Sequence, residues 1–302
     1  MSPSDKVFLD YDQAALDRAY DQTQWAANQQ EVIARRVAAA DAVRARLGPP
    51  QRFAYGPTPI EALDVFTSTR AGGAPIMVFL HGGAWRAGDA RSQAFAAEAF
   101  VHAGAHFVVP DFAVVMDVGL DGMVAQVRRA VAWVAEHAAS FGGDATRIYV
   151  GGHSSGAHLA ANVLVTDWAR DFGLPADVVK GGLCTSGMYE LAPVRLSARS
   201  AYVKFDDRIE RELSPIRHLS RLRCPVVVAY GTHDSPEFQR QAREFAEALR
   251  AVGRLQELVV GVGLNHFELP ETLADPESAL GRAALGLLRS DRSGPLRSPS
   301  GD

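Results

Sequence analysis

The stretch Ile148-Tyr149-Val150-Gly151-Gly152-His153-Ser154-Ser155-Gly156-Ala157-His158-Leu159 decides how the chain is read. Ile148, Tyr149 and Val150 are β-branched or aromatic and predict a strand. Ala157 to Thr166, rich in Ala, Leu and Val, predicts a helix. Between them stands a G-x-S-x-G turn, which in this strand–turn–helix context is a sharp elbow with a serine at its apex. The turn holds its central residue in a strained backbone conformation, and glycines on either side remove Cβ atoms that would collide. Ser154 is central and is therefore the candidate nucleophile. Ser155 is expected to contribute only its backbone N–H.

Working outward, apolar runs alternate with helical stretches. Ile76 to Leu80, Ala105 to Pro110, Val178 to Thr185, Pro225 to Tyr230 and Leu255 to Val260 read as strands, most of them continuous apolar runs buried on both faces. Arg52 to Tyr55 and Ala62 to Thr67 alternate like half-buried strands turned at Gly56-Pro57. Helices are predicted at Ser92 to Ala103, Met123 to Phe141, Glu237 to Val252 and Ala279 to Leu288. Strands alternating with helices imply an α/β architecture with a mostly parallel sheet of about eight strands covered on both faces. Residues 1–50 form a helical arm, with Leu16, Ala19 and Tyr20 on a first helix and a stripe of Val32, Ile33, Val37, Ala40 and Val43 on a second. Residues 51–289 form the main domain. The charged stretch 186–223 is either a small cap or a loop-and-helix insertion without function, and 290–302 is expected to be a disordered tail.

Composition narrows the classes. With 47% hydrophobic and 22% charged residues, the 302-residue chain is an ordinary globular protein with ample core. A net charge of -4 disfavours a nucleic-acid partner. No apolar run approaches the roughly 18 residues of a membrane span. Met1 to Asp10 is polar and lacks a hydrophobic signal region, so a cytoplasmic location is expected. Cys184 and Cys224 abut apolar segments and read as reduced buried thiols. The expected partner is a small-molecule substrate, with no cofactor and no metal, since no metal-ligand spacing occurs; a homodimer is left open.

A serine hydroxyl needs a base to take its proton. Of nine histidines, His266 follows the final predicted strand in a glycine-rich loop at the sheet's carboxyl edge. Asp234, in the Gly231-Thr232-His233-Asp234 loop after the preceding strand, is the carboxylate for that base, with Glu237 as the lesser alternative. The order Ser154, Asp234, His266 is that of the α/β-hydrolase fold. Donors for an oxyanion are expected from the Ser155 N–H and from the Gly82-Gly83-Ala84 backbone after the Ile76–Leu80 strand. Trp85, Phe112, Met188 and Tyr189, all near strand ends, are candidate pocket walls, although such residues are individually more often core than ligand contacts.

Four motifs carry a resemblance. They are His81-Gly82-Gly83-Ala84-Trp85, Gly152-His153-Ser154-Ser155-Gly156-Ala157-His158-Leu159, His233-Asp234-Ser235-Pro236-Glu237-Phe238-Gln239-Arg240-Gln241 and His266-Phe267-Glu268. With them the chain resembles the arylformamidase (kynurenine formamidase) branch of the hormone-sensitive-lipase-like α/β-hydrolases, over most of Ile60 to Leu288. The resemblance implies a triad at Ser154, Asp234 and His266 and an oxyanion loop at Gly82 and Gly83. It also implies removal of a small acyl group from an aryl amide or alcohol, with short-chain or aryl ester hydrolysis as the alternative; a catalytically silent binding scaffold is a competing reading, which usually lacks a triad member, and none is missing here. Two departures stand out: many relatives carry Ala where Ser155 stands, and Ser186-Gly187-Met188-Tyr189-Glu190 has Glu where the family pattern has Asp.

Overall fold

The computed structural model describes residues 5–70 and 72–289, so the tail expected at 290–302 lies outside the described residues. Two helices open the chain, α1 (Gln13–Tyr20) and α2 (Gln29–Leu47). A hairpin of β1 (Gln51–Ala54) and β2 (Ala62–Phe66) follows. Then come β3 (Ala74–Leu80), α3 (Ala97–His102), β4 (His106–Pro110), α4 (Val115–His137), β5 (Gly143–His153), α5 (Ser155–Leu164), α6 (Trp168–Phe172) and β6 (Val179–Thr185). Two short helices, α7 (Ala192–Leu196) and α8 (Asp207–Glu212), lie in the charged insertion. The described residues end with β7 (Val226–Gly231), α9 (Pro236–Ala251), β8 (Leu255–Gly261) and α10 (Ala279–Leu287). Among the described residues, no helix is long and apolar enough to cross a membrane.

The eight strands of the described residues join one sheet in the order β1-β2-β4-β3-β5-β6-β7-β8. β1 and β2 run antiparallel; from β4 to β8 every pairing is parallel. Alternation along β3 divides the core in two. Ile76, Val78 and Leu80 pack with α1, α4, α5 and α9, whereas Met77 and Phe79 pack with α2, α3 and α10. The two helices of the N-terminal arm thus lie on opposite faces of the sheet. The register aligns the strand ends, with Leu80 opposite Gly152, His153 opposite Thr185, and Gly231 opposite Gly261. The loops after β3, β5, β6, β7 and β8 therefore emerge along one edge, where ligands bind in open parallel sheets.

Several local expectations are corrected. Ile33 and Val37 are exposed, and the buried line of α2 runs through Val32, Ala40 and Val43 instead, with the Arg36 guanidinium lying over the Phe95 ring. The interval from Val32 through Arg36 to Ala40 keeps helical spacing, so a long aliphatic stem occupies the place the sequence stripe gave to Ile33 and Val37. The helix expected from Ser92 begins as a 3-10 turn over Arg91–Ala96. α4 starts at Val115, earlier than expected, and kinks at Gly119, whose φ is 71°. Cys184 and Cys224 are both buried, and neither is joined in a disulfide among the described residues.

Candidate active site

The elbow is built by exclusion. Ser154 sits at φ 57°, ψ -123°, a conformation costing about 1–3 kcal/mol that neighbouring packing must impose. A Cβ on Gly152 would lie 2.3 Å from the Gly156 carbonyl oxygen, and one on Gly156 would lie 2.1 Å from that of Leu80. Strand β3, the turn and α5 are consequently in direct backbone contact. The Ser154 N–H donates to the Thr185 carbonyl of β6 at 2.9 Å, which fixes the apex from the other side.

Three side chains from three strand ends converge here. His266 Nε2 is 2.9 Å from Ser154 Oγ. On the far side of the ring, His266 Nδ1 is 3.6 Å from Asp234 Oδ1, beyond hydrogen-bond length, and neither atom has another hydrogen-bond partner among the described residues. Asp234 Oδ2 is held by the Ser186 hydroxyl at 2.6 Å and the Gly231 N–H at 3.2 Å. Glu237, the alternative acid, is instead buried beside Arg240, whose Nη2 is 2.6 Å away, and accepts the Tyr20 hydroxyl at 2.9 Å.

Ser186 was not anticipated as part of this constellation. It is the first residue past β6, on the same edge as the other loops, with φ 45°. The strand-end position was the available signal. A second unanticipated element is the segment between α1 and α2, which reaches both loops. Gln22 brackets Ser235, donating from Nε2 to Oγ at 2.9 Å and accepting the Ser235 N–H at 3.2 Å, while Ser235 Oγ donates to the Ala19 carbonyl at 2.6 Å. Asn28 Nδ2 donates to Glu268 at 2.7 Å, and Asn265 Nδ2 donates to Asn28 Oδ1 at 2.8 Å. Asn265 Oδ1 in turn accepts the Phe267 and Glu268 N–H groups at 2.9 and 3.1 Å, pinning the turn that carries His266.

The loop after β3 carries three consecutive positive φ angles, at Gly83 (125°), Ala84 (53°) and Trp85 (62°). A Cβ on Gly82 would be 2.8 Å from the His153 carbonyl oxygen and 3.2 Å from Ser154 Cβ, so only glycine allows this approach. The role expected of Ser155 needs correction: besides its backbone, its hydroxyl accepts the Trp85 N–H at 3.1 Å and ties the loop to α5. The Ser155 N–H is the first of that helix and so has no acceptor within it.

All four expected pocket walls, Trp85, Phe112, Met188 and Tyr189, are interior members of one hydrophobic cluster. Phe112 stacks on His81 at 4.0 Å between ring centres, and Tyr189 stacks on Phe245 at 3.9 Å. His81, whose Nδ1 contacts the Gly82 carbonyl at 3.0 Å, braces the loop and is pushed below the ordinary histidine pKa by burial. His153 lies 4.6 Å from His266, centre to centre; burial first, then the His266 charge, holds its pKa well below the usual value.

Fold and site together define a hydrolase of the α/β-hydrolase class, of the serine type. Residues 63–178 match the BD-FAE family. Kynurenine formamidase of Danio rerio is 32% identical over 240 residues, covering 78% of this chain and 80% of that protein. Esterase LipC of Mycobacterium tuberculosis is 29% identical over 73% of this chain and 58% of its own length. Among solved structures, the hyperthermophilic esterase from Pyrobaculum calidifontis superposes with a TM-score of 0.69 at 20% identity, over 89% of this chain and 94% of that one. The chain belongs to the kynurenine formamidase family.

Proposed function

We propose that the chain is an arylformamidase acting through Ser154, His266 and Asp234, with N-formylkynurenine as its substrate. The observation that carries this reading is the 2.9 Å contact between Ser154 Oγ and His266 Nε2, with the Asp234 carboxylate behind the imidazole. His266 takes the hydroxyl proton as Ser154 Oγ attacks the formyl carbon. The Ser155 N–H and the Gly82–Gly83 backbone receive the oxyanion of the tetrahedral intermediate, one such donor being worth about 2.7–4 kcal/mol. Collapse breaks the C–N bond, His266 delivers its proton to the leaving arylamine, and a formyl ester remains on Ser154. Water, deprotonated by His266, then cleaves that ester to formate and restores the serine. Asp234, held by Ser186 and Gly231, orients the ring and stabilises the imidazolium of each half-reaction.

The esterase relatives favour a second reading, a carboxylesterase on short-chain or aryl esters. The two are separated by kcat/KM on N-formylkynurenine against p-nitrophenyl acetate and butyrate. The formamidase reading expects N-formylkynurenine to be the better substrate, and turnover of the esters alone would remove it.

A further inference from the structure

A residue that carries a Cβ adopts a positive φ only when its surroundings impose it. In the loop after β3 two such residues stand side by side, Ala84 at φ 53° and Trp85 at φ 62°. They follow Gly82 and Gly83, the backbone that approaches Ser154, so whatever imposes their conformation also places that backbone. Part of the restraint is main-chain. Trp85 donates its N–H to Ser155 Oγ at 3.1 Å, and its carbonyl accepts the Val115 N–H at 2.8 Å, which ties the loop to α5 and α4. The insertion 186–223 supplies a further restraint. The Arg199 guanidinium lies over the Trp85 ring, with Cζ 5.6 Å from the ring centre, and the exposed Arg86 lies over the Tyr202 ring at 4.7 Å. Tyr202 caps the 3-10 turn Ala198–Ala201 that carries Arg199. Two neighbouring loop residues thus face one turn of the insertion, each time with a cation over an aromatic ring and with the roles exchanged.

Such a clamp must itself be held. Here α1 holds it at three places. Gln13 Nε2 donates to the Leu196 carbonyl at 2.9 Å, the Ala198 N–H donates to Asp17 Oδ1 at 2.6 Å, and Arg199 Nη2 donates to the Tyr20 carbonyl at 2.8 Å. Arg199 belongs to both sets of contacts, gripping Trp85 with its planar face and α1 with its N–H groups, and is only 8% exposed. We propose that Arg199 is a positioning residue for the reaction: by holding the Trp85 ring it keeps Gly82 and Gly83 facing Ser154. The insertion then acts as a clamp on the oxyanion loop, fastened to α1 behind it. This rests on the active-site reading above and gives residues 198–202 a part in it without contact with the reacting atoms.

The test isolates the oxyanion from the rest of substrate binding. Its probe is an aryl trifluoromethyl ketone: Ser154 Oγ adds to the ketone carbon, His266 takes the serine proton, and the ketone oxygen becomes an oxyanion. The matching methyl ketone, too weak an electrophile to add, reports binding of the neutral ketone alone. Arg199→Met keeps an apolar stem but neither the charge nor the N–H groups. It should lower kcat about tenfold on N-formylkynurenine and on p-nitrophenyl acetate with KM within about twofold, the scale of one desolvated cation–aromatic contact felt only in the transition state. The inhibition constant of the trifluoromethyl ketone should rise by the factor by which kcat/KM falls, while that of the methyl ketone stays put. Arg199→Lys, which keeps the charge but not the planar fork, should recover part of the loss. Unchanged kcat in a folded Arg199→Met would overturn the proposal. So would a loss of kcat that leaves the trifluoromethyl ketone as tight as before, or an equal weakening of both ketones, which would assign Arg199 to the shape of the pocket. If Arg199→Met does not fold, Tyr202→Ala decides on the same readouts, with an expected loss of about threefold. A wild type that turns over neither substrate and does not bind the trifluoromethyl ketone would remove the active-site reading and the clamp with it. Turnover of the ester alone would remove only the formamidase reading and leave the clamp to be judged on the ester.

Discussion

The elbow that carries Ser154 and the two loops that carry Asp234 and His266 meet within a few ångströms, yet they are held in opposite ways. The elbow is fixed from within the sheet, by backbone contacts of Gly152 and Gly156 that leave no space for a methyl group. The acid and base loops are fixed from outside, by polar side chains of the segment between α1 and α2. Gln22 reaches Ser235 across 213 positions of sequence, and Asn28 reaches Glu268 across 240. Because α1 and α2 lie on opposite faces of the sheet, the connection between them passes over the edge that carries Ser154 and holds both loops at once. The placing of Ser154 is thus a property of the core, whereas the placing of Asp234 and His266 depends on a remote stretch of chain.

Experiments can break this contrast or sharpen it. The largest expected effect is on chemistry: Ser154→Ala and His266→Ala should each lower kcat by about 10⁶, with the double variant little worse, as for residues acting as one unit. Steady-state rates check this, and retention of more than about one per cent of activity by either would undo the assignment. Next comes Gly156→Ala, which drives a Cβ to 2.1 Å from the Leu80 carbonyl oxygen. A loss of stability on the order of 3–4 kcal/mol is expected from that overpacking, read as a shift in the urea midpoint; an unshifted midpoint would show that the elbow yields.

The third prediction concerns pH. His158, on α5, donates Nε2–H to the Leu213 carbonyl at 2.8 Å, and burial lowers its pKa from 6.5 to about 4. The folded protein excludes a proton that the unfolded chain accepts below pH 6.5, so this contribution is complete above 6.5 and is lost as pH falls toward about 4. The change amounts to on the order of 3 kcal/mol. His158→Gln should flatten the fall in urea-unfolding stability between pH 7 and pH 4 relative to wild type, and an unchanged slope would assign the acid sensitivity elsewhere. The smallest effect belongs to the remote brace. Asn28→Ala or Gln22→Ala should cost about 1 kcal/mol of stability. The same variants should lower kcat up to about tenfold with KM little altered, because substrate binding is spared and alignment is not. Unchanged kcat in both would mean that the loops hold themselves.

The same contrast governs what could be read from the sequence. The elbow is legible because strand, glycines and helix are neighbours whose steric logic is local. Asp234 and His266 could be named because apolar strands end just before them, at Tyr230 and Val260, and a parallel sheet gathers such ends at one edge. Their supports were not legible. Hydrogen bonds from Gln22 and Asn28 follow no periodicity, and nothing near those residues announces a partner more than two hundred positions away. The Ser155 hydroxyl was assigned no part because its backbone N–H already explained the residue, yet it anchors Trp85. On α2, counting apolar residues favoured Ile33 and Val37, but which side of a weakly patterned helix turns inward is settled by the neighbour it meets, here Phe95 beneath Arg36.

For anyone retuning this enzyme by mutagenesis, the crowded glycines at 152 and 156 say where not to diversify. Gln24 and Trp25, exposed on the connection that spans the edge, offer the reverse: positions at the surface, close to the alignment of acid and base yet outside the core. Libraries built there would explore turnover while leaving the packing of the sheet untouched.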